Sequence, residues 1–410
     1  MHERHGLVAK SPKIVKIETF EHTEYPKLVF IKIHTDDGLF GIGETSWSPE
    51  PVHAFIHADA AEYLLGKDAS QVDWHWHNLA KMAGGMRSRG AEMRALSAID
   101  IALWDLFGKR MNEPTYNVMG GLSRDKIKVY NTCAGYSYGV NRSGVYEPGS
   151  VDYRPDGPYE DQHAFLTDPV GLAQSLHSEG FRAMKIWPFD QFVAKTNGQH
   201  ISAEDVEKGT EPFRLIHEAM GDQMEVAVEM HQLWNLPSAI KIAQAVTPFK
   251  PLWFEDAVQM DNLDALAQFR KTTNIPTIAS EGVSTRWTFR EMYVKQAVDI
   301  TMFDLGWVGG ISEAKRIATM SEAFGIPIAP HDCVGPIAFM ADVHLSLNAT
   351  NTFIQETVRA YNATWYNDIV TVLPKVENGF ASVSDDPGLG LDFTDKFMNS
   401  DQLTVRTTEL

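Results

Sequence analysis

Six ionisable side chains recur along this chain at nearly even intervals. Glu229, Glu255, Glu281, Asp304, His331 and Glu356 are spaced by 26, 26, 23, 27 and 25 residues. Each stands where a short apolar run gives way to polar residues, and Lys185 marks an earlier switch of the same kind. Three carboxylates sharing a cleft cannot all stay ionised without a cation, because like charges raise one another's pKa. Glu229, Glu255 and Glu281 therefore predict a hard divalent metal on oxygen ligands. Mg2+ suits such a set, Mn2+ would also serve, and Zn2+ is disfavoured without His or Cys at those positions. Asp304 and His331 offer a carboxylate that can orient and charge-stabilise an imidazole as an acid–base dyad. His231, two residues beyond Glu229, faces the same side of an extended strand. With Lys185 adding positive charge, the set suits removal of a proton α to a carboxylate through an enediolate.

The elements that must carry these groups read as short apolar strands, each followed by a polar loop and an amphipathic helix. Eight strands are predicted to end near Thr132, Ile186, Met230, Phe254, Ser280, Phe303, Ala329 and Ile354. Alternating strands and helices over about 230 residues predict a (β/α)8 barrel, whose chemistry sits at the C-terminal ends of its strands. Ser312 is expected to cap a helix running to Phe324 and ended by Gly325. Trp187 and Trp307 fall at the same mouth and are candidate substrate contacts.

Around the barrel, residues 1–127 read as an α+β capping domain, 128–358 as the catalytic barrel, and 359–410 as a segment packing back on the cap. Ile14–Phe20 and Leu28–His34 read as cap strands, with a turn at Asp36-Asp37-Gly38. Arg94–Lys109 reads as a helix, with Leu96, Ile99, Leu103 and Leu106 at helical spacing. Trp47, in a cap loop, is a candidate substrate contact. Residues 135–163, with five Tyr and no helical period, read as a cover over the site, and Arg142 within them as a partner for a substrate carboxylate. In Trp74-His75-Trp76-His77, alternate residues of a helix point different ways, so the run reads as cap packing rather than a metal site.

The chain has 410 residues, with 54 Asp+Glu against 36 Lys+Arg, a net charge of −18. Such a balance disfavours nucleic acid and anionic membranes as partners. Two cysteines 200 positions apart form no disulfide framework, and no apolar run reaches the length of a signal peptide or a bilayer span. The expectation is a cytoplasmic protein acting on a small molecule.

Ala95-Leu-Ser-Ala-Ile-Asp-Ile-Ala-Leu-Trp-Asp105, Trp253-Phe-Glu-Asp256, Ser280-Glu281, Asp304-Leu-Gly-Trp-Val-Gly-Gly310, Pro330-His331 and Phe353-Ile-Gln-Glu356 occur in order. Together they resemble the mandelate racemase/muconate lactonizing branch of the enolase superfamily over nearly the whole chain. Sites of that superfamily use a Lys or His base with Mg2+. Within the branch the chain looks most like acid-sugar dehydratases of the galactonate and mannonate type. That resemblance implies His331 with Asp304 as base, His231 as general acid, Glu356 hydrogen-bonding substrate or enediolate, a sugar-acid substrate, and a homo-oligomer. Racemases, epimerases and cycloisomerases share the scaffold, and a non-catalytic sugar-acid binder is the alternative outside enzymes. The chain departs from the usual pattern at Lys185-Ile-Trp187 in place of Lys-x-Lys, at Glu229 in place of Asp, and at Glu255-Asp256-Ala257 in place of Glu-Glu-Pro.

Overall fold

A computed structural model describes residues 11–83, 88–139 and 157–410. The chain opens with an antiparallel meander of β1 (Ile14–His22), β2 (Leu28–Thr35) and β3 (Phe40–Ser46), followed by helices. The last strand of the protein, Leu403–Glu409, returns to pair with β1 and completes this four-stranded cap sheet. The long helix Ala91–Met111 lies directly on β3. A Cβ at Gly41 or Gly43 would strike the backbone carbonyl of Ala102 or Ala98, so only glycine permits this approach.

The barrel follows as parallel strands β4 (Ile127–Thr132), β5 (Ala183–Ile186), β6 (Glu225–Glu229), β7 (Phe254–Glu255), β8 (Thr277–Ala279) and β9 (Ile300–Thr301). The seventh position is a bridge at Ile328, paired to Thr301 and Thr352, and β10 (Gln355–Thr357) pairs with β4 to close the ring. The protein is thus a (β/α)8 barrel with an α+β cap, as the spacing predicted. Of the tail, the hairpin of Lys375–Glu377 and Phe380–Ser382 joins β4 of the barrel instead of the cap.

Side-chain parity explains how the strands present chemistry. Tyr130, Ala183, Ala227, Trp253, Ile278, Met302, Ala329 and Ile354 pack together inside the barrel. Strand side chains alternate with period two, so the next inward positions are Thr132, Lys185, Glu229, Glu255, Ser280, Asp304, His331 and Glu356. A filled apolar layer therefore supports a polar layer at the mouth.

Cap and barrel are joined along the turn that carries Asp304. Asp100 accepts from the backbone and hydroxyl of Ser312, at 2.8 and 2.6 Å. Gly309 N donates to Ser97, Thr45 to Gly306 O, and Trp76 to Gly309 O. The Ser312 expectation is corrected here: its helix begins at Gly310 with Gly309 as the cap residue, and Ser312 serves the Asp100 contact. In the Trp74–His77 run, His75 and Trp76 are buried in the cap, whereas Trp74 is 57% exposed. Within 135–163, Tyr136–Gly139 forms a helical turn and the helix Asp161–Thr167 begins, so part of that stretch is helical. Residues 140–156 of that cover, including Arg142, lie outside the described residues. Among the described residues no helix is long and apolar enough to cross a membrane.

Candidate active site

A cavity of about 340 Å3 opens at the C-terminal ends of the strands, beneath the cap. Lys185, Glu229, His231, Glu281, His331, Trp47, Trp187 and Trp307 line it, all of them singled out by the sequence. Glu255, Asp304 and Glu356 stand behind this lining and reach it through hydrogen bonds. Cys333 also lines the cavity, but burial pushes its thiol pKa up, which leaves it a poor nucleophile.

Lys185 is the hub of the acidic half. Its Nζ lies 2.5 Å from Glu255, 2.9 Å from Glu356 and 3.4 Å from Glu229. Burial disfavours this ammonium, yet the surrounding carboxylates outweigh burial and hold its pKa well above the usual lysine value. Glu229 accepts from the backbone of Met230 and His231 at 2.9 and 2.6 Å. Burial, then the field of Glu229, raises Glu255 well above the carboxylate range. Even with Lys185 against both, this neighbouring pair resists carrying two negative charges.

Glu281 comes one residue after the inward position filled by Ser280. Its Oε2 is buried with no hydrogen-bond partner, and so is Oδ1 of Asp256. Asp256 otherwise accepts from Ser280 and Gln232, both at 2.7 Å, and burial followed by the Glu281 and Glu229 fields raises its pKa. Orphaned buried carboxylate oxygens beside a crowded acidic set are suited to a hard divalent cation. Among the described residues, however, no three His, Cys, Asp or Glu side chains converge as a coordination sphere. Both Glu255 oxygens are engaged, one by Lys185 and one by Trp253 Nε1 at 2.9 Å. Each of these oxygens keeps a second lone pair, through which Glu255 could join Glu229 and Glu281 around a cation.

Two imidazoles occupy opposite sides of the ring, His231 beyond the third strand and His331 at the seventh position. His331 Nδ1 lies 2.7 Å from Asp304, whose other oxygen accepts from Gly306 N at 2.7 Å. His231 Nδ1 lies 2.7 Å from Asp190, a buried residue of the 3-10 turn Asp190–Lys195. Burial alone would lower both histidines. For His331 the Glu356 field and the Asp304 bond outweigh it, and for His231 the Glu229 and Asp190 fields do; each is pushed up to about 9. Glu356 also accepts from Thr132 and, at 2.9 Å, from Asp332 N.

Asp190, Thr132, Tyr138 and Arg94 have no functional role assigned from the sequence, and Asp256 enters there only within a motif and as a departure from the family pattern. Asp190 sits four residues past a strand end, beyond the reach of strand parity. Its position after Trp187-Pro188-Phe189 was the available signal.

A capped barrel with this polar mouth has the enolase-superfamily architecture, and members of that superfamily are enzymes. The chain belongs to the mandelate racemase/muconate lactonizing enzyme family. Residues 6–120 match the family's N-terminal domain and 170–397 its enolase C-terminal domain-like barrel. Members of this family typically bind Mg2+. An enolase of the mandelate racemase subgroup from Agrobacterium tumefaciens is 39% identical with a TM-score of 0.85, over 97% of this chain and 99% of that one. An enolase protein from Sargasso Sea environmental sequencing is 36% identical with a TM-score of 0.87, over 97% and 99% of the two chains. A protein from Zymomonas mobilis ZM4, proposed to be a dehydratase, is 25% identical with a TM-score of 0.83, over 98% and 100%.

Proposed function

We propose that this protein is a Mg2+-dependent acid-sugar dehydratase. It removes the C2 proton of an aldonate or aldarate and eliminates the C3 hydroxyl as water, yielding a 2-keto-3-deoxy acid. The observation that carries this reading is the pair of aspartate-bound imidazoles, His331–Asp304 and His231–Asp190, on opposite sides of one cavity. Elimination of water needs a base at C2 and an acid at the C3 oxygen, held together around one substrate.

The Nδ1 bond to Asp304 directs proton exchange of His331 to Nε2, where the neutral form of the ring takes the C2 proton. His231, steadied by Asp190, gives its Nε2 proton to the departing hydroxyl. Lys185 brings positive charge to the substrate carboxylate, and Glu356 positions Lys185 through their 2.9 Å contact. Glu229, Glu255 and Glu281 would hold the Mg2+, which when bound supplies positive charge to a carboxylate gaining electron density. Trp47, Trp187 and Trp307 exclude water and shape the cavity. The enol left after elimination takes a proton from solvent at C3 as it becomes the keto acid.

The same two imidazoles favour one second reading, epimerisation at C2, in which one face is deprotonated and the other reprotonated. Incubating the enzyme and Mg2+ with a panel of aldonates and aldarates in D2O tests both. Formation of 2-keto acid supports dehydration; deuterium at C2 with no keto acid supports epimerisation; neither outcome on any acid leaves a sugar-acid binder and overturns the catalytic reading.

A further inference from the structure

The cap brings two cations to the cavity that the proposed chemistry does not use, Arg94 in its lining and Lys27 behind the lining rings of Trp47 and Tyr138. Arg94, on the helix Ala91–Met111, lines the cavity with its Cζ 4.5 Å from the Trp307 ring. Its Nη1 donates to Ser46 O at 3.0 Å. Lys27, just before β2, places Nζ 4.6 Å from the Trp47 ring and 5.7 Å from that of Tyr138. Tyr138 in turn meets Trp187, 5.9 Å between centroids, and Trp187 meets His231 at 5.6 Å. Trp307 meets His331 at 5.5 Å. Each cap cation is therefore one or two aromatic rings away from one of the two imidazoles.

Neither cation makes an ion pair among the described residues. The contrast with Arg359, bonded to Asp161 and Glu179, is sharp. The carboxylate whose field reaches Arg94 is Asp304, already committed to His331. Desolvation pulls Arg94 down to about 10 and lowers Lys27, which is the cost of holding a cation away from water without an anion. A guanidinium has five N–H donors, and only one of Arg94's is bonded to the protein among the described residues. In a chain with 18 more acidic than basic groups, this pair of cations is an exception that an anion would relieve.

We propose that Arg94 and Lys27 receive a second anionic group of the substrate, so that the enzyme's natural acid carries a negative charge at both ends. This deepens the proposed function by choosing the dicarboxylate, or aldarate, class over the aldonates, and it rests on that reading for the reacting end of the substrate. A carboxylate and a phosphate share the chemistry that a guanidinium and an ammonium recognise. The aromatic faces of Trp47 and Trp307 would flank the group and strengthen its pairing by excluding water.

Binding of unreactive acids tests this without turnover. Calorimetry with Mg2+ present should show adipate binding at least tenfold tighter than hexanoate. In Arg94→Met or Lys27→Met that ratio should fall towards one, and Arg94→Lys should recover part of it. A 6-phosphohexanoate arm separates the two anions: preference for it over adipate overturns the dicarboxylate assignment. Equal binding of adipate and hexanoate by the wild-type protein overturns the proposal, as does a ratio unchanged in both Met variants. The wild-type ratio decides the matter even where a variant fails to fold. Selective dicarboxylate binding without dehydration of any acid would reject the dehydratase reading while leaving this anion site standing.

Discussion

His231 and Asp190 meet at 2.7 Å through the imidazole Nδ1, and His331 meets Asp304 at the same distance on the opposite side of the cavity. The two dyads are assigned different protons, and single substitutions should separate them. His331→Asn should abolish both keto-acid formation and solvent exchange at C2, with kcat lower by about 10²–10⁴-fold. His231→Asn should lose keto-acid formation by a similar factor yet retain measurable C2 exchange in D2O. Loss of exchange in both variants to the same extent would remove the division of labour.

Lys185 is surrounded by Glu255, Glu356 and Glu229 at 2.5, 2.9 and 3.4 Å, all buried. Lys185→Met leaves that acidic group without its cation. Breaking a buried ion pair on one side typically costs about 3–5 kcal/mol. Urea denaturation of the metal-free protein should show a loss of that order. Added Mg2+ should raise the variant's midpoint more than the wild type's, because a divalent ion restores the missing charge. A midpoint unchanged by the substitution would mean that Lys185 is not the hub.

Glu281 presents a buried oxygen with no partner to the same cavity. A ligand that binds the folded state alone raises stability in proportion to the logarithm of its concentration above Kd. Mg2+ should therefore raise the wild-type Tm progressively over the millimolar range. Glu281→Gln, nearly isosteric, should need at least tenfold more Mg2+ for the same shift. An identical titration for both proteins would take Glu281 out of the ligand set.

The seam between Asp100 and Ser312 predicts coupling of cap and chemistry. Asp100→Ala leaves the Ser312 N–H and hydroxyl buried without an acceptor, a cost of about 1–3 kcal/mol for each such group. The affected turn also carries Asp304, so kcat should fall along with Tm, although Asp100 touches no substrate. An unchanged kcat in a destabilised variant would separate the seam from catalysis.

The legible part of this site was the part governed by strand parity. Lys185, Glu229, Glu255, Asp304, His331 and Glu356 each follow an inward apolar residue by two positions, so a strand ending in a charge already points at the mouth. Glu281 was found by type and interval although it sits one residue out of that parity. Parity says nothing of groups arriving from turns or from the cap. Asp190 reaches His231 from a 3-10 turn, Arg94 comes from the cap helix Ala91–Met111, and Lys27 from the turn before β2. Their spacing carries no period relative to the barrel. Ser312 misled because a serine near a helix start has two uses, and only the position of Asp100 shows which applies.

His344, which contacts Tyr116 and Leu389, gives the fold a distinct acid sensitivity. The ring is fully buried in the helix Pro336–Asn348, where Nδ1 accepts from Tyr116 N at 3.2 Å and Nε2 faces Leu389 O at 3.4 Å. One nitrogen accepts and the other donates, so the neutral ring fits and a protonated one would set two N–H groups against each other. Burial, which outweighs the Leu389 carbonyl, lowers its pKa from 6.5 to about 4. Between those values the unfolded chain binds the proton and the folded protein does not, so stability falls as pH falls through that window. The contribution is fully present above the unfolded value and amounts to about 3 kcal/mol lost by pH 4. His53 in the cap, also lowered to about 4 chiefly by burial, adds to the loss with the same sign. Urea midpoints from pH 7 to 4.5 should drop steeply for the wild type and more shallowly for His344→Gln, which keeps a donor and an acceptor but does not titrate. Parallel slopes for the two proteins would show that His344 is protonated as readily in the folded state as in the unfolded one.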